Sequence, residues 1–226
     1  MRGEISMDKE LLVYYDNPNE ASNMYLKWIT KDCEENNIKV TILDDLVVLK
    51  ERLKENRFTP VLPLYPVKDC FVKNELEMLL TNYPYANIDN IGGVSFYTDA
   101  TAQGIFNYIT ETCSQRDAVI SVIGRGKVGK PLIDLLIGYG YTVFEFNSQS
   151  DFEAMKEISK EYAWFVVGLA SEQVFNTAEC QELLIDCCTL IDSGNNFDTK
   201  DKLRCGKWTR NVIIDRINNL YLTYGE

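Results

Sequence analysis

The stretch Val119-Ile-Ser-Val-Ile-Gly-Arg-Gly-Lys-Val-Gly-Lys-Pro131 decides the fold. An apolar run, Ala118 to Ile123, breaks into Gly124, Gly126 and Gly129, and a second apolar-periodic run, Leu132 to Ile137, follows at once. The pattern is strand, tight glycine turn, helix. Gly124 allows the turn, Gly126 lets a phosphate approach the backbone, and Gly129 lets the helix pack close to the strand. The helix start offers N–H groups and a positive dipole end to a pyrophosphate. The candidate cofactor-binding turn is therefore Gly124, Arg125, Gly126, Lys127, Val128 and Gly129.

On both sides of this turn the chain alternates between strand and helix patterns. Upstream, strands are expected at Leu11–Tyr15 and Ile38–Leu43, with an extended segment at Pro60–Pro66. Helices are expected at Ala21–Asn36, Leu46–Asn56 and Val72–Leu80, and an irregular loop at Tyr83–Gly93. A helix over Thr101–Cys113 links the halves. Downstream, strands are expected at Tyr141–Phe146, Ala163–Leu169, Cys188–Asp192 and Asn219–Tyr224, with helices at Asp151–Glu161 and Thr177–Cys187. The expected architecture is α/β with two domains: a small N-terminal α/β domain over residues 1–103 and a Rossmann-like, doubly wound parallel sheet over 104–226.

The bulk numbers narrow the chemistry. The net charge is -11, and no Lys/Arg run exceeds two residues. Nucleic acid and anionic membrane both need clustered positive charge, so neither is expected as a partner. No apolar run is long enough to span a bilayer, and the N-terminus lacks the apolar core of a signal peptide, so a cytoplasmic protein is expected, with Met7 as a possible internal start. The seven cysteines form no C-x-x-C pair and are read as buried reduced thiols, and no metal site is expected. There is no histidine, so acid–base chemistry would fall to Lys, Tyr, Asp, Glu or Cys.

At the end of the second strand of a dinucleotide fold, an acid holds the ribose 2′-hydroxyl of NAD, whereas a neutral residue with a nearby cation accepts the 2′-phosphate of NADP. Asn147 and Ser148 stand there, with Arg125 in the turn, and these favour NADP. Glu145, two residues earlier on the same face as Asn147, keeps NAD open.

From about Leu11 to Thr223 the chain resembles the bifunctional methylenetetrahydrofolate dehydrogenase/cyclohydrolase family. Gly124-Arg-Gly-Lys-Val-Gly-Lys-Pro131 is similar to its G-R-S-x-x-V-G-x-P turn, one residue shorter, and Asn147-Ser148 to its His-Ser strand end. Ala21-Ser-Asn-Met-Tyr25, running on to Lys31-Asp-Cys-Glu-Glu35, resembles its A-S-x-x-Y helix. Val61-Leu-Pro-Leu-Tyr-Pro66 resembles Q-L-P-L-P, and Asn87-Ile-Asp-Asn90 resembles D-V-D-G. Thr101-Ala-Gln-Gly-Ile105 resembles T-P-x-G-I, and Ile191-Asp-Ser-Gly-Asn-Asn196 resembles V-I-D-V-G-I-N. The resemblance implies a folate substrate, a nicotinamide cofactor and a homodimer. It implies that Tyr25 packs on the pterin, that Asp89 binds the pterin's amine and amide edge, and that Arg125 and Ser148 hold a 2′-phosphate.

Departures from the family pattern carry equal weight. The lysine that drives its cyclohydrolase step falls at Ile29, and the glutamine that tunes it at about Val61. Lys27 and Lys31 each lie two residues from Ile29, roughly 200° around a helix, so neither substitutes. Family branches that keep only the dehydrogenase also lack this lysine. The family's closing loop and the C-terminal helix that returns to the first domain are expected to be missing, with Thr223 at the loop's first position, and the N-terminal helix to be cut short. Three functions stay open: an NAD(P)-linked methylenetetrahydrofolate dehydrogenase without cyclohydrolase, a nucleotide-binding module that does not turn over folate, and a dehydrogenase of another small substrate.

Overall fold

The computed structural model describes residues 9–186 and 188–225. The start at Met7, the shortened N-terminal helix and the Cys187 thiol lie outside the described residues. The chain divides into two compact units, Met1–Ala100 with Arg210–Glu226, and Thr101–Thr209.

The first unit holds a parallel sheet in the order β2-β1-β3, built from β1 (Lys9–Tyr14), β2 (Ile38–Leu43) and β3 (Val61–Pro63). Side chains alternate along β1, and both faces are covered, as parallel sheets require. Leu11 and Val13 pack with Ile29 and Cys33 of α1 (Glu20–Glu35) and with Val212, Ile213 and Ile217 of α8 (Gly206–Tyr224). Leu12 and Tyr14 face Leu49 and Leu53 of α2 (Leu46–Glu55) and Leu76 and Leu80 of α3 (Cys70–Thr81). Local chemistry sets the helix starts. Asn19 and Ser22 form a reciprocal capping box on α1, and Asp45 and Asp69 cap α2 and α3. The loop after α3 contains a 3-10 turn at Ile91–Gly93.

The second unit is a five-stranded parallel sheet in the order β5-β4-β6-β7-β8. Its strands are β4 (Val119–Ile123), β5 (Thr142–Phe146), β6 (Phe165–Gly168), β7 (Thr189–Asp192) and β8 (Leu203–Arg204). One face, with Ile120, Val122 and Val167, packs on α4 (Ala100–Thr112) and α5 (Gly129–Tyr139). The other, with Ile123, Val166 and Leu190, packs on α6 (Phe152–Tyr162) and α7 (Thr177–Ile185). This is the doubly wound arrangement expected from the alternating pattern.

Three expectations need correction, and all concern one segment. Asn219–Tyr224 is not the last strand: it is the end of the 19-residue helix α8, and the fifth strand is the short β8. The division at 103/104 misassigns residues from 210 onward, because Val212, Ile213, Ile214, Ile217 and Leu220 are buried in the core of the first unit. The return helix expected to be missing is therefore present as α8, and Thr223 lies in its last turn. No helix among the described residues is long and apolar enough to cross a membrane. Among them, no group of three or more His, Cys, Asp and Glu residues could hold a metal ion.

Candidate functional site

In the second unit the glycine turn has the geometry its sequence implies. β4 ends at Ile123; the next residue, Gly124, has a φ of 108° that is open to glycine, and its N–H donates to the Phe146 carbonyl at 2.8 Å. At Gly129 a Cβ would lie 1.8 Å from the Gly124 carbonyl oxygen, so only glycine lets the turn close onto the first helical turn. At Gly126 no atom of the described residues, its two chain neighbours aside, comes within 4 Å of where a Cβ would stand, so internal packing does not demand glycine there. The helix start at Val128 has no side-chain cap, whereas α6 and α7 of the same unit are capped by Asp151 and Asn176. Val128 packs against the core, and Pro131 sits in the first turn, where its missing N–H breaks no helix bond. These features fit a dinucleotide's pyrophosphate: a backbone that can be approached closely and a helix start with no side-chain cap at a positive dipole end, although the Lys130 N–H donates to the Gly126 carbonyl at 3.1 Å and Pro131 has no N–H.

The strand end expected to select the cofactor is arranged differently from the simplest sequence reading. Arg125 Nε lies 3.2 Å from Glu145 Oε2, both side chains being about half exposed. The residue expected to favour NADP and the one expected to favour NAD are thus paired with each other. Asn147 is held in a turn: its Oδ1 accepts the Gln149 N–H at 2.8 Å, and its own N–H donates to Ser150 Oγ at 3.0 Å. Ser148 is exposed at the tip of that turn. Two of the family-like matches have structural roles. A Cβ at Gly104 would meet the Trp208 backbone at 2.8 Å. The buried Asn196 side chain donates to the Ala170 and Glu172 carbonyls at 3.1 and 2.6 Å, fixing the loop after β6.

In the first unit, Tyr25 is part-buried against the apolar core that contains Ile29 and Ile88. Ile29 is fully buried, so the expected lysine position is part of the packing interior. Lys27 and Lys31 are exposed, and Lys31 pairs with Glu35 at 3.6 Å. Asp89 Oδ1 accepts the Ala100 N–H at 3.1 Å. The loop that carries Asp89 is pinned by the buried Asn87, whose Oδ1 accepts from the Ile91 N–H and whose Nδ2 donates to the Ile91 and Val94 carbonyls. Asn90 takes a left-handed conformation, φ 51°, where the similar D-V-D-G pattern has glycine.

Two residues near Asp89 escaped the sequence reading. Arg216 of α8 is only 7% exposed. It donates to the Ile88 carbonyl at 2.5 Å, and its guanidinium lies 5.0 Å from the Tyr97 ring centre. Burial lowers its pKa from the ordinary value, and the Asp89, Tyr97 and Asp99 groups oppose that shift. The signal was available: with α8 read as a helix, Arg216 falls four residues after Val212 and four before Leu220, on the apolar stripe. Tyr65, at the end of the Val61–Pro66 segment, has its hydroxyl pushed up to about 12, first by burial and then by the Glu77 and Asp89 charges. Neither group offers a proton carrier near neutral pH.

Comparison with solved structures gives this architecture a counterpart. The bifunctional 5,10-methylenetetrahydrofolate dehydrogenase/cyclohydrolase from Thermoplasma acidophilum superposes with a TM-score of 0.74 at 17% identity, over 96% of this chain and 89% of that one. This is the methylenetetrahydrofolate dehydrogenase/cyclohydrolase fold. The Trypanosoma brucei methylenetetrahydrofolate dehydrogenase-cyclohydrolase, complexed with NADP cofactor and inhibitor, matches with a TM-score of 0.73 at 13% identity, over 95% and 87% of the two chains. The NAD-dependent 5,10-methylenetetrahydrofolate dehydrogenase from Saccharomyces cerevisiae matches with a TM-score of 0.70 at 15% identity, over 96% and 89%. No sequence-family model matches the chain, and no curated protein matches it in sequence. The expected fold is thus found along nearly the whole chain, at 13–17% sequence identity to these neighbours.

Proposed function

We propose that this chain is an NAD(P)-linked dehydrogenase that oxidises 5,10-methylenetetrahydrofolate and lacks cyclohydrolase activity. The observation that carries the reading is the glycine turn between β4 and α5, closed at Gly129, open at Gly126 and uncapped at the helix start, within a dehydrogenase fold. Gly124 to Gly129 would hold the pyrophosphate, and Arg125, Glu145, Asn147 and Ser148 would face the adenosine ribose. A nicotinamide bound there would accept a hydride from the substrate. Hydride transfer needs positioned reactants rather than a protein proton carrier, which agrees with a chain that has no histidine and a core isoleucine at position 29. On the substrate side, Tyr25 would pack on the pterin and Asp89 would accept from its amine and amide edge. A folate substrate, a homodimer and a cytoplasmic setting belong to the same reading through the family resemblance.

The assay is direct. The protein is mixed with methylenetetrahydrofolate and each nicotinamide cofactor in turn, and reduced cofactor is followed by absorbance. Cofactor reduction that depends on the folate supports the reading. Nucleotide binding without reduction would instead favour a binding module, the alternative raised by a buried Ile29. Hydrolysis of methenyltetrahydrofolate clearly above the uncatalysed rate would refute the loss of cyclohydrolase.

A further inference from the structure

We infer that the Arg125–Glu145 pair sets the cofactor preference and makes this a site for an unphosphorylated ribose, so that NAD binds in preference to NADP. The inference rests on the dinucleotide reading of the glycine turn.

Glu145 is on β5, hydrogen-bonded in parallel to β4 with Val122 opposite it, one residue before the end of the strand next to the turn. An acid at this end of the second strand accepts hydrogen bonds from the ribose hydroxyls. Arg125 comes from the turn itself, and its Nε is already committed to the Glu145 carboxylate at 3.2 Å. A 2′-phosphate drawn to this guanidinium would bring nearly two negative charges beside a carboxylate. A ribose 2′-hydroxyl would instead supply a donor to that carboxylate and leave the ion pair intact.

The other groups at this end do not offset the acid. Asn147 uses its side-chain oxygen and its N–H within the 147–150 turn. Ser148 offers an exposed hydroxyl without charge. Lys130, one residue past Gly129, pairs with Asp134 at 2.7 Å. Lys127 belongs to the glycine turn itself, which on the dinucleotide reading would face the pyrophosphate common to both cofactors. Glu145 is therefore the group whose charge distinguishes the two.

Titration calorimetry of the whole chain with NAD and with NADP tests this without relying on turnover. Wild type should bind NAD about tenfold or more tightly than NADP, a difference of about 1.4 kcal/mol. Glu145→Gln removes the charge from a half-exposed side chain and should leave the circular dichroism unchanged. It should weaken NAD, tighten NADP and so shift the ratio of the two constants by about tenfold or more. Adding Arg125→Gln to that variant should abolish the gain for NADP. A wild type that prefers NADP, or an E145Q variant in which both constants move alike, overturns the inference while leaving the dinucleotide reading standing. Binding of neither cofactor by folded wild type overturns that reading and the inference together.

Discussion

Single positions separate the demands of folding from those of binding. Gly129 is required by the fold, since a methyl group there collides with the Gly124 carbonyl. Gly129→Ala should lower stability by about 2 kcal/mol or more, as overpacking does, and should lower nucleotide affinity with it. A Cβ at Gly126 would have open space among the described residues beyond its chain neighbours, so Gly126→Ala should leave the melting temperature nearly unchanged and weaken the nucleotide alone. Thermal melts with and without cofactor distinguish the two, and equal behaviour of the variants would contradict this division. Ile29 belongs with Gly129. Ile29→Ala should cost about 2–5 kcal/mol in urea unfolding. Ile29→Lys should destabilise further by burying a charge, and should not create cyclohydrolase activity.

At the level of elements, α8 concentrates what the sequence concealed. The glycine turn and the regular strands and helices around it were legible because their apolar period, caps and turn residues agree with the fold. Asn219-Leu-Tyr-Leu-Thr-Tyr224 alternates and is rich in strand formers, and Val212-Ile-Ile214 is β-branched, so local preference opposed the helix that burial on β1 imposes. With α8 misread, Arg216 could not be placed beside the Asp89 loop. The Arg125–Glu145 pair was half legible: alternation put Glu145 on the Asn147 face, but only the folded turn brings the guanidinium to it. Arg216→Met should remove the bond to the Ile88 carbonyl and leave the Asp89 and Asp99 charges without their buried cation. The expected loss is about 3–5 kcal/mol in urea unfolding, with partial recovery in Arg216→Lys. A variant as stable as wild type would remove Arg216 from any role in holding that loop.

At the scale of the molecule, both units carry an alkaline liability in their thiols. Burial pushes Cys33 in the first unit up to about 12, with the Asp32 and Glu34 charges adding to it, and burial likewise pushes Cys188 in the second up to about 12. The folded chain keeps these protons where the unfolded chain loses them. Their contribution is whole below the ordinary thiol value near 9 and falls as pH rises toward 12. Urea midpoints should therefore drop between pH 8 and pH 10, with a shallower slope in Cys33→Ala; an identical slope would rule that thiol out. Among the six described cysteines, native alkylation should mark the exposed Cys70 first, and the buried five only on unfolding. The placement of α8 has a consequence for how the molecule is made. The second unit is one continuous run, whereas the first needs residues 210 onward to complete the core around β1. The order of completion is therefore reversed: every residue of the later unit has been joined by position 209, whereas the earlier one waits, part-assembled, for the helix that follows. The first unit is thus the one left open to chaperones and proteases when α8 is absent, and a released chain truncated after Thr209 should yield a protease-resistant second unit beside a degraded first.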